Sequence, residues 1–239
     1  MDYIELLSRL GVASAHPGGF TATKKLLDHA LPTGDLRILE VGCGTGKSAC
    51  YLASNGYRVT ALDQHPLMLE KARLRAEREG ITDIEWVEGS VYALPFADES
   101  FDVVFAESVT VFTEAKRSAA EYYRVLKRGG RLVDRELALY EKMPGRIYKQ
   151  IKDYFKLEKI YTVDEWLECF REAGFRCDEP RIEPFWSHEH TAEGSEVQEL
   201  DISALLDPEI GAGVIQYAEL MLAQERYFRA CDFTALKAG

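Results

Sequence analysis

The sequence predicts an α/β fold built around a parallel sheet. Between residues 36 and 133, short runs rich in β-branched and apolar residues alternate with longer runs of helical periodicity, which is typical of βαβ units. A glycine-rich bend over residues 42–46 follows the first of these runs and opens the next helix. Of the 239 residues, 46% are apolar, enough to bury a sizeable core, so a disordered chain is excluded.

The elements of this sheet follow in order along the chain. Strands are predicted at 36–41, 58–62, 84–88, 101–106 and 131–138, with helices at 47–55, 66–79 and 115–127. Pro66 fits the first turn of the second helix, where its missing N–H costs nothing. Gly56 and Gly80 end two of the helices, because glycine adopts the left-handed conformation without strain.

The flanking regions are predicted to be mostly helical. Residues 1–34 form helical segments around the loop His16-Pro17-Gly18-Gly19. The sequence Thr162-Val163-Asp164-Glu165 is a capping box, so a helix begins at Val163 and ends near Gly174. A sixth strand is expected at 175–182, a loop at 184–195, a long helical region at 208–227 and a last strand at 228–236.

Charge and composition narrow the possible partners. The net charge is −11, so we expect no nucleic-acid partner and no attraction to an anionic membrane. No apolar run approaches the length of a membrane span, so membrane insertion is not expected. Five cysteines without a C-x-x-C pair indicate free thiols in a reducing compartment, and the chain is expected to be cytoplasmic.

The glycine bend decides which ligand the fold can hold. A P-loop needs four residues between its first glycine and the Gly-Lys-Ser, whereas only three separate Gly42 from Gly46. A dinucleotide-binding fingerprint needs a third glycine where Lys47 stands. Both alternatives are disfavoured, although a P-loop-like nucleotide-binding enzyme stays open as a minor alternative.

The observed spacing, G-x-G-x-G, favours a nucleoside without a phosphate. Glu40 precedes the first glycine by two residues, and Asp63 ends the second strand, 21 residues beyond Gly42. A carboxylate at that strand end can accept hydrogen bonds from both hydroxyl groups of a ribose. Glycines let the backbone approach an uncharged thioether and the sugar edge.

Together with four further motifs, this pattern resembles the class I S-adenosylmethionine-dependent methyltransferases, in particular the branch that contains the ubiquinone/menaquinone-biosynthesis and other small-molecule methyltransferases. The resemblance covers residues 36–138. Its motifs are Asp63-Gln64-His65-Pro66, Glu88-Gly89-Ser90-Val91 with Leu94-Pro95-Phe96, Phe101-Asp102-Val103-Val104, and the run from Arg124 to Leu132.

The resemblance implies a Rossmann-like, seven-stranded methyltransferase sheet. The strand order would be 3-2-1-4-5-7-6 with the last strand antiparallel, and helical insertions would form a substrate cap. Residues 1–239 would be one domain, with a helical cap at 1–34, a cofactor-binding core at 35–138, and cap insertions with strands six and seven at 139–239. The oligomeric state is left open, with a homodimer as one option.

The resemblance also implies an enzyme that moves a methyl group from S-adenosyl-L-methionine to a small molecule, leaving S-adenosyl-L-homocysteine. A non-catalytic protein that binds the same cofactor is the alternative. Residues implied for the methionine and ribose part of the cofactor are Glu40, Gly42, Cys43, Gly44, Gly46, Asp63 and Glu107. Residues implied for the sugar flank and the adenine are Gln64, Met68, Ser90, Val91 and Tyr92. Ser90 departs from the family, which usually has Asp there.

One catalytic candidate lies outside these motifs. His16, beside the turn Pro17-Gly18-Gly19, is of a residue type that titrates near neutrality and serves as a general base. The alternative is that this turn only closes the mouth of the cofactor site. No metal site is expected, since His188 and His190 alternate in a loop without a further clustered ligand.

Overall fold

Eight strands form one sheet in the computed structural model, which describes residues 2–13, 16–185, 201–222 and 224–239. The strands run in the order β3-β2-β1-β4-β5-β8-β6, and β7 pairs with β8. Their bounds are β1 (Arg37–Val41), β2 (Arg58–Asp63), β3 (Ile84–Glu88), β4 (Phe101–Glu107), β5 (Leu126–Leu139), β6 (Phe175–Cys177), β7 (Arg181–Pro184) and β8 (Phe228–Lys237).

The first five strands are parallel, and β8 is antiparallel to β5, which confirms the predicted order. The predicted sixth strand over 175–182 is divided into β6 and β7, both antiparallel to β8. Pro180 lies in the break, where a residue without an N–H cannot join the ladder. The sheet therefore has eight strands where seven were expected.

The boundaries around β5 also differ from the prediction. The strand begins at Leu126, whereas 131 was expected, and the preceding helix ends at Val125. Gly129 adopts a φ of +75°, and the pairing of β5 with β4 shifts register between Phe101 and Val103. Gly129 and Gly130 thus form an irregularity within β5, which continues through both residues.

Eight helices accompany the strands among the described residues. Their bounds are α1 (Tyr3–Leu10), α2 (Gly19–Ala30), α3 (Lys47–Ser54), α4 (Pro66–Arg78), α5 (Ala115–Val125), α6 (Gly145–Phe155), α7 (Val163–Glu172) and α8 (Pro208–Leu222). The predicted capping box of α7 is present, with the Thr162 N–H donating to Glu165 Oε2 at 2.9 Å and the Glu165 N–H donating to Thr162 Oγ1 at 3.3 Å.

The sheet separates two apolar layers. Val103, Phe105 and Val133 face a core that includes residues of α2, α3 and α4. Val104 and Leu132 face the opposite core, which includes residues of α5 and α7. Neighbouring residues on a strand point to opposite faces, so the apolar runs of β4 and β5 serve both layers.

Helices α1, α6 and α8 are joined by aromatic contacts. The Tyr3 ring packs edge-on against Phe155 at a centroid distance of 4.7 Å and stacks on Tyr217 at 5.4 Å. These contacts link the N-terminal segment with the insertions after β5. Within the described residues, no helix has the length and apolar character needed to cross a membrane. His188 and His190 lie outside these residues.

Candidate functional site

A cavity of about 280 Å³ lies at the carboxyl ends of the central strands. One part of its wall comes from the glycine bend and from the residues that end β1, β2 and β4. The other part comes from α1, α6, α8 and the segment after β4. Crevices beyond the carboxyl ends of strands are where open α/β sheets bind ligands, at the point where the strand order reverses. Here that reversal lies between β1 and β4.

The glycine bend requires residues without a side chain. Gly42 has a φ of +62° and Gly44 a φ of +53°, in the left-handed region that favours glycine. A Cβ on Gly42 would also overlap the side chain of Val109, which lines the same cavity. The Cys43 N–H donates to the Leu62 carbonyl at 3.0 Å and fixes the bend to the end of β2.

Asp63 connects this bend to the neighbouring strand. Its Oδ2 accepts a hydrogen bond from the Gly44 N–H at 2.9 Å, and its Oδ1 accepts one from the His65 N–H at 2.8 Å. Burial raises the pKa of Asp63, and these backbone donors act in the opposite direction. The carboxyl group is thereby held facing the cavity with lone pairs to spare.

Glu40 supplies an unsatisfied acceptor. Its side chain is buried, and its Oε2 is a buried atom without a hydrogen-bond partner. Burial and the nearby negative charges of Glu107 and Asp63 raise its pKa well above the ordinary value. Buried polar atoms are nearly always hydrogen-bonded, so an orphaned oxygen in a cavity wall indicates a missing donor. An ammonium group or a water molecule satisfies that requirement.

Glu107, at the end of β4, is bonded to the N-terminal segment. Thr23 Oγ1 donates to Glu107 Oε1 at 2.9 Å, and His16 Nε2 lies 3.1 Å from Glu107 Oε2. The side chains of His16 and Glu107 are only 6% and 8% exposed. Burial raises the pKa of Glu107 to about 8. Burial, followed by the positive charge of Arg135, lowers the pKa of His16 to about 3.

The structure brings most of the predicted site residues together. Those that line the cavity are His16, Glu40, Gly42, Cys43, Gly44, Asp63, Gln64, Met68, Val91, Tyr92 and Glu107. Gly46 and Ser90 are not among the lining residues. A Cβ on Gly46 would lie 2.8 Å from the Ala72 Cβ and 2.9 Å from the Trp86 ring, so this glycine permits close packing of the bend. Ser90 Oγ accepts a hydrogen bond from the Tyr92 N–H at 3.3 Å.

The bend does not form a phosphate-binding nest. Its N–H groups bond within the protein, with Gly44 donating to Asp63 and Gly46 donating to the Cys43 carbonyl at 2.9 Å. Phosphate cradles need such N–H groups turned toward the ligand. The carboxyl groups of Glu40 and Asp63 in the same wall add a further mismatch with a polyanion. The P-loop alternative therefore finds no support in this geometry.

Several site residues were missed from the sequence. Thr23 comes from a helix that carries no motif and is 84 residues from its partner Glu107, while Ser48 was weighed only as part of a P-loop comparison. Val109 lies in the segment after β4, where its contact with Gly42 depends on the folded chain. No local pattern marks such pairs, because they are neighbours only across the sheet.

Comparison with known proteins gives the family. A family model described as "Methyltransferase domain" matches residues 39–134. The uncharacterized methyltransferase YodH of Bacillus subtilis is 37% identical over 235 residues, 98% of this chain and 99% of that protein. The ubiquinone/menaquinone biosynthesis C-methyltransferase UbiE of a Ruegeria species is 34% identical over 139 residues, 56% of this chain and 54% of that protein.

Comparison with solved structures also finds methyltransferases. The crystal structure of Haemonchus contortus phosphoethanolamine N-methyltransferase 2, in complex with phosphomonomethylethanolamine and S-adenosylhomocysteine, aligns with a TM-score of 0.76 at 20% identity, covering 94% of this chain and 54% of that one. The glycine bend, the Asp63 carboxyl group and the orphaned oxygen of Glu40 fit the nucleoside and ammonium groups of that family's cofactor. The chain belongs to the S-adenosylmethionine-dependent methyltransferases.

Proposed function

We propose that this protein transfers a methyl group from S-adenosylmethionine to a small, largely apolar molecule. The observation that carries the proposal is the composition of the cavity, which joins a polar wall at the glycine bend to an apolar wall of aromatic side chains. One wall suits a nucleoside and the other suits an uncharged acceptor. Small-molecule sites are typically concave, mostly apolar and equipped with a few fixed polar groups.

The cofactor would be held by residues at the ends of β1 and β2. Glu40 Oε2 would accept from its ammonium group, and Asp63 would accept from the ribose hydroxyls. Gly42, Cys43, Gly44 and Gly46 would keep the bend close to the methionine and sugar. Residues proposed around the sugar flank and the adenine are Gln64, Met68, Ser90, Val91 and Tyr92, whereas Glu107 would face the methionine end, which carries the methyl group. S-Adenosylmethionine, when bound, supplies an electrophilic methyl group on a positively charged sulfur.

The protein's own contribution is alignment and exclusion of water. The reaction of an oriented acceptor avoids the entropy of a bimolecular encounter, which is worth roughly 7–11 kcal/mol of the barrier. The glycine bend, Asp63 and the segment after β4 form the fixed wall for this alignment. Helices α1 and α8 close the opposite side through Tyr3 and Tyr217.

The acceptor would contact the aromatic wall. Rings in this wall come from four different segments, and those that also touch one another are Tyr3, Phe112, Phe155 and Tyr217. Such a surface favours a flat apolar body over a phosphate or a carboxylate. Residues 35–138 would thus hold the cofactor, while residues 1–34 and 139–239 of the same domain supply the substrate walls.

His16 would stand beside the acceptor. Support for this role is that His16 lines the cavity and lies in the loop before α2. Its low pKa keeps the imidazole neutral at physiological pH, so it can accept a hydrogen bond.

We also place the protein in the cytoplasm without a nucleic-acid partner, in keeping with five unpaired thiols and the net charge of −11.

Two measurements test the proposal in sequence. Titration calorimetry with S-adenosylmethionine is expected to show one bound molecule per chain. Incubation of the protein and methyl-labelled cofactor with a metabolite extract is then expected to label a small organic product. Binding without any labelled product would favour the alternative of a non-catalytic cofactor-binding protein, and absence of binding would contradict both.

A further inference from the structure

A buried polar cluster lies at the wall of the cavity, where His16 and Glu107 are among the lining residues. It consists of His16, Thr23 and Glu107, all three within hydrogen-bond reach of one another. Thr23 Oγ1 lies 2.9 and 3.1 Å from the two Glu107 carboxyl oxygens and 3.3 Å from His16 Nε2. Ser48, at the start of α3, also bonds to the Glu107 side chain. Glu107 is therefore fixed in place before any acceptor arrives.

The hydrogen positions follow from these contacts. His16 Nδ1 lies 3.4 Å from the Pro17 carbonyl, which can only accept, so Nδ1 carries the ring hydrogen of the neutral imidazole. Nε2 then presents a lone pair to Glu107 Oε2 at 3.1 Å. A neutral Glu107 carboxyl group donates its O–H to that lone pair. The pair thus holds a single proton between two groups of the cavity wall.

The charges around this pair come from four elements. Arg135 of β5 favours the anionic form of Glu107, and Asp232 of β8, bonded to Arg135, opposes it. Glu40 of β1 carries a carboxyl group close enough to interact with Glu107, and Lys47 of α3 acts on His16. Burial dominates these effects, and the Glu107 pKa of about 8 lets the carboxylate form at mildly alkaline pH.

We propose that Glu107, held by His16 and Thr23, takes up a proton from the methyl acceptor, and that the acceptor is a weak O–H acid of the phenol or enol type. The inference rests on the proposed function. In this step the acceptor's O–H bond breaks, its electron pair stays on oxygen, and the proton joins a Glu107 carboxylate oxygen. The product of that transfer is a neutral acid hydrogen-bonded to a neutral imidazole, an arrangement that the 3.1 Å distance between Glu107 Oε2 and His16 Nε2 accommodates.

The aromatic wall supports this acceptor class. Tyr3, Phe112, Phe155 and Tyr217 present flat apolar surfaces. A phenolate or enolate shares its charge between oxygen and carbon, so the same proton transfer prepares either atom for methylation. Proton removal matters most for such acceptors, because the neutral O–H form is a poor nucleophile.

The experiment compares two probes that differ by one hydroxyl group, 4-methylphenol and toluene. Their dissociation constants are measured with the protein saturated with S-adenosylhomocysteine, between pH 6.5 and pH 9, where the phenol stays largely protonated. A hydrogen bond to a carboxylate is stronger than one to a neutral acid, so 4-methylphenol is expected to bind roughly tenfold more tightly as the pair loses its proton. Toluene is expected to bind without pH dependence.

Glu107→Gln keeps the shape and the bonds to Thr23 and His16 but cannot become anionic. We expect it to abolish the pH dependence for 4-methylphenol while leaving toluene unaffected. A second readout is the ring nitrogen resonance of His16 in labelled protein, which is expected to shift near pH 8 in the wild type and to stay constant in Glu107→Gln. Thermal unfolding of the variant checks that it is folded.

Three results would overturn the inference: equal pH behaviour of the two probes, an unchanged pH dependence in Glu107→Gln, or no binding of 4-methylphenol at any pH. Each of these is separable from the proposed function. Calorimetry with S-adenosylmethionine on the same samples reports cofactor binding directly, and its failure would contradict the methyltransferase proposal whatever the phenol does.

Discussion

The Gly44 N–H donates a hydrogen bond to Asp63 Oδ2 at 2.9 Å and so joins the bend after β1 to the end of β2. One carboxyl oxygen sets the course of the bend, and the second is held by the His65 N–H at 2.8 Å. Positioning of the loop therefore depends on this side chain, and in the proposed cofactor site recognition of the ribose would depend on it as well. Substitution of Asp63 should affect both.

Asp63→Ala is expected to weaken S-adenosylmethionine binding by roughly 10- to 100-fold, the value of hydrogen bonds to a charged group. Asp63→Asn is the matched control, since it retains one acceptor oxygen and nearly the same volume. We expect it to lose less affinity than the alanine variant. Calorimetry gives the dissociation constants of the wild type and both variants. Equal binding by all three proteins would show that Asp63 does not contribute to cofactor binding.

Gly42→Ala tests the contact between the bend and Val109. A residue with a Cβ is strained at the φ of +62° found here, and the new Cβ would also overlap the Val109 side chain. We therefore expect a loss of about 3 kcal/mol in the free energy of unfolding. Gly56→Ala is the control, with a φ of +85° and no atom within 4 Å of the added Cβ; its expected cost is about 1 kcal/mol.

The double variant Gly42→Ala with Val109→Ala separates strain from overlap. Removing the Val109 methyl groups is expected to restore part of the lost stability in chemical denaturation, because the two residues are in contact. Strictly additive effects would show that overlap with Val109 does not limit this position.

Arg75 of α4 is hydrogen-bonded to the glycine bend. Its buried guanidinium donates from Nε to the Thr45 carbonyl at 2.9 Å and lies 3.3 Å from Glu79 through Nη1. Arg75→Met is expected to lower the free energy of unfolding by about 2 kcal/mol, since it leaves a buried carbonyl without its donor. Cofactor affinity should fall as well. Exposed Arg78 on the same helix offers a control, and Arg78→Met is expected to change neither quantity appreciably.

The His16 and Glu107 pair gives stability a defined pH dependence. Glu107 has a pKa of about 8 in the folded protein against an ordinary 4.5, so between these values the folded state holds the extra proton and stability falls as pH rises. His16, with a folded pKa of about 3 against an ordinary 6.5, has the opposite effect, and stability rises with pH between those values.

The two effects offset each other between pH 4.5 and 6.5, and above that range only the Glu107 effect continues to about pH 8. Other buried carboxyl groups share the sign of the Glu107 effect, so the informative quantity is the difference between the wild type and Glu107→Gln. From pH 6.5 to 8, the free energy of unfolding of the variant should increase relative to that of the wild type by up to about 1.4 kcal/mol per pH unit. A difference that is flat across this range would show that Glu107 is ionised in the folded protein.

The cavity wall at the glycine bend, where we propose that the cofactor binds, could be predicted from the sequence because its residues are local. The bend, Asp63 and the residues after β3 each follow a strand, and strand ends meet at one edge of a parallel sheet. The bend also carries its own signal, since Gly42 and Gly44 stand where the backbone needs a positive φ.

The aromatic wall, where we propose that the acceptor binds, could not be predicted from the sequence in the same way. Tyr3, Phe155 and Tyr217 meet only because three separate helices converge, and each ring looks like ordinary core in its own segment. The bond between Thr23 and Glu107 is likewise a product of the folded chain. The charged run Asp134-Arg135-Glu136 is completely buried within β5, where single-residue hydrophobicity predicts exposure.

The division of the predicted sixth strand has a local signal in the sequence. Pro180 lies within residues 175–182 and has no N–H to donate to a ladder, so it marks the break between β6 and β7. The folded chain adds that the two strands pair with separate stretches of β8.

The most direct test of the central claim is calorimetric titration of the purified protein with S-adenosylmethionine, with ATP and Mg²⁺ as the competing ligand class. We expect one S-adenosylmethionine per chain, binding much more tightly than ATP, and binding weakened roughly 10- to 100-fold in Asp63→Ala. Absence of heat with S-adenosylmethionine, or tighter binding of ATP, would contradict the assignment of the glycine bend and Asp63 to this cofactor.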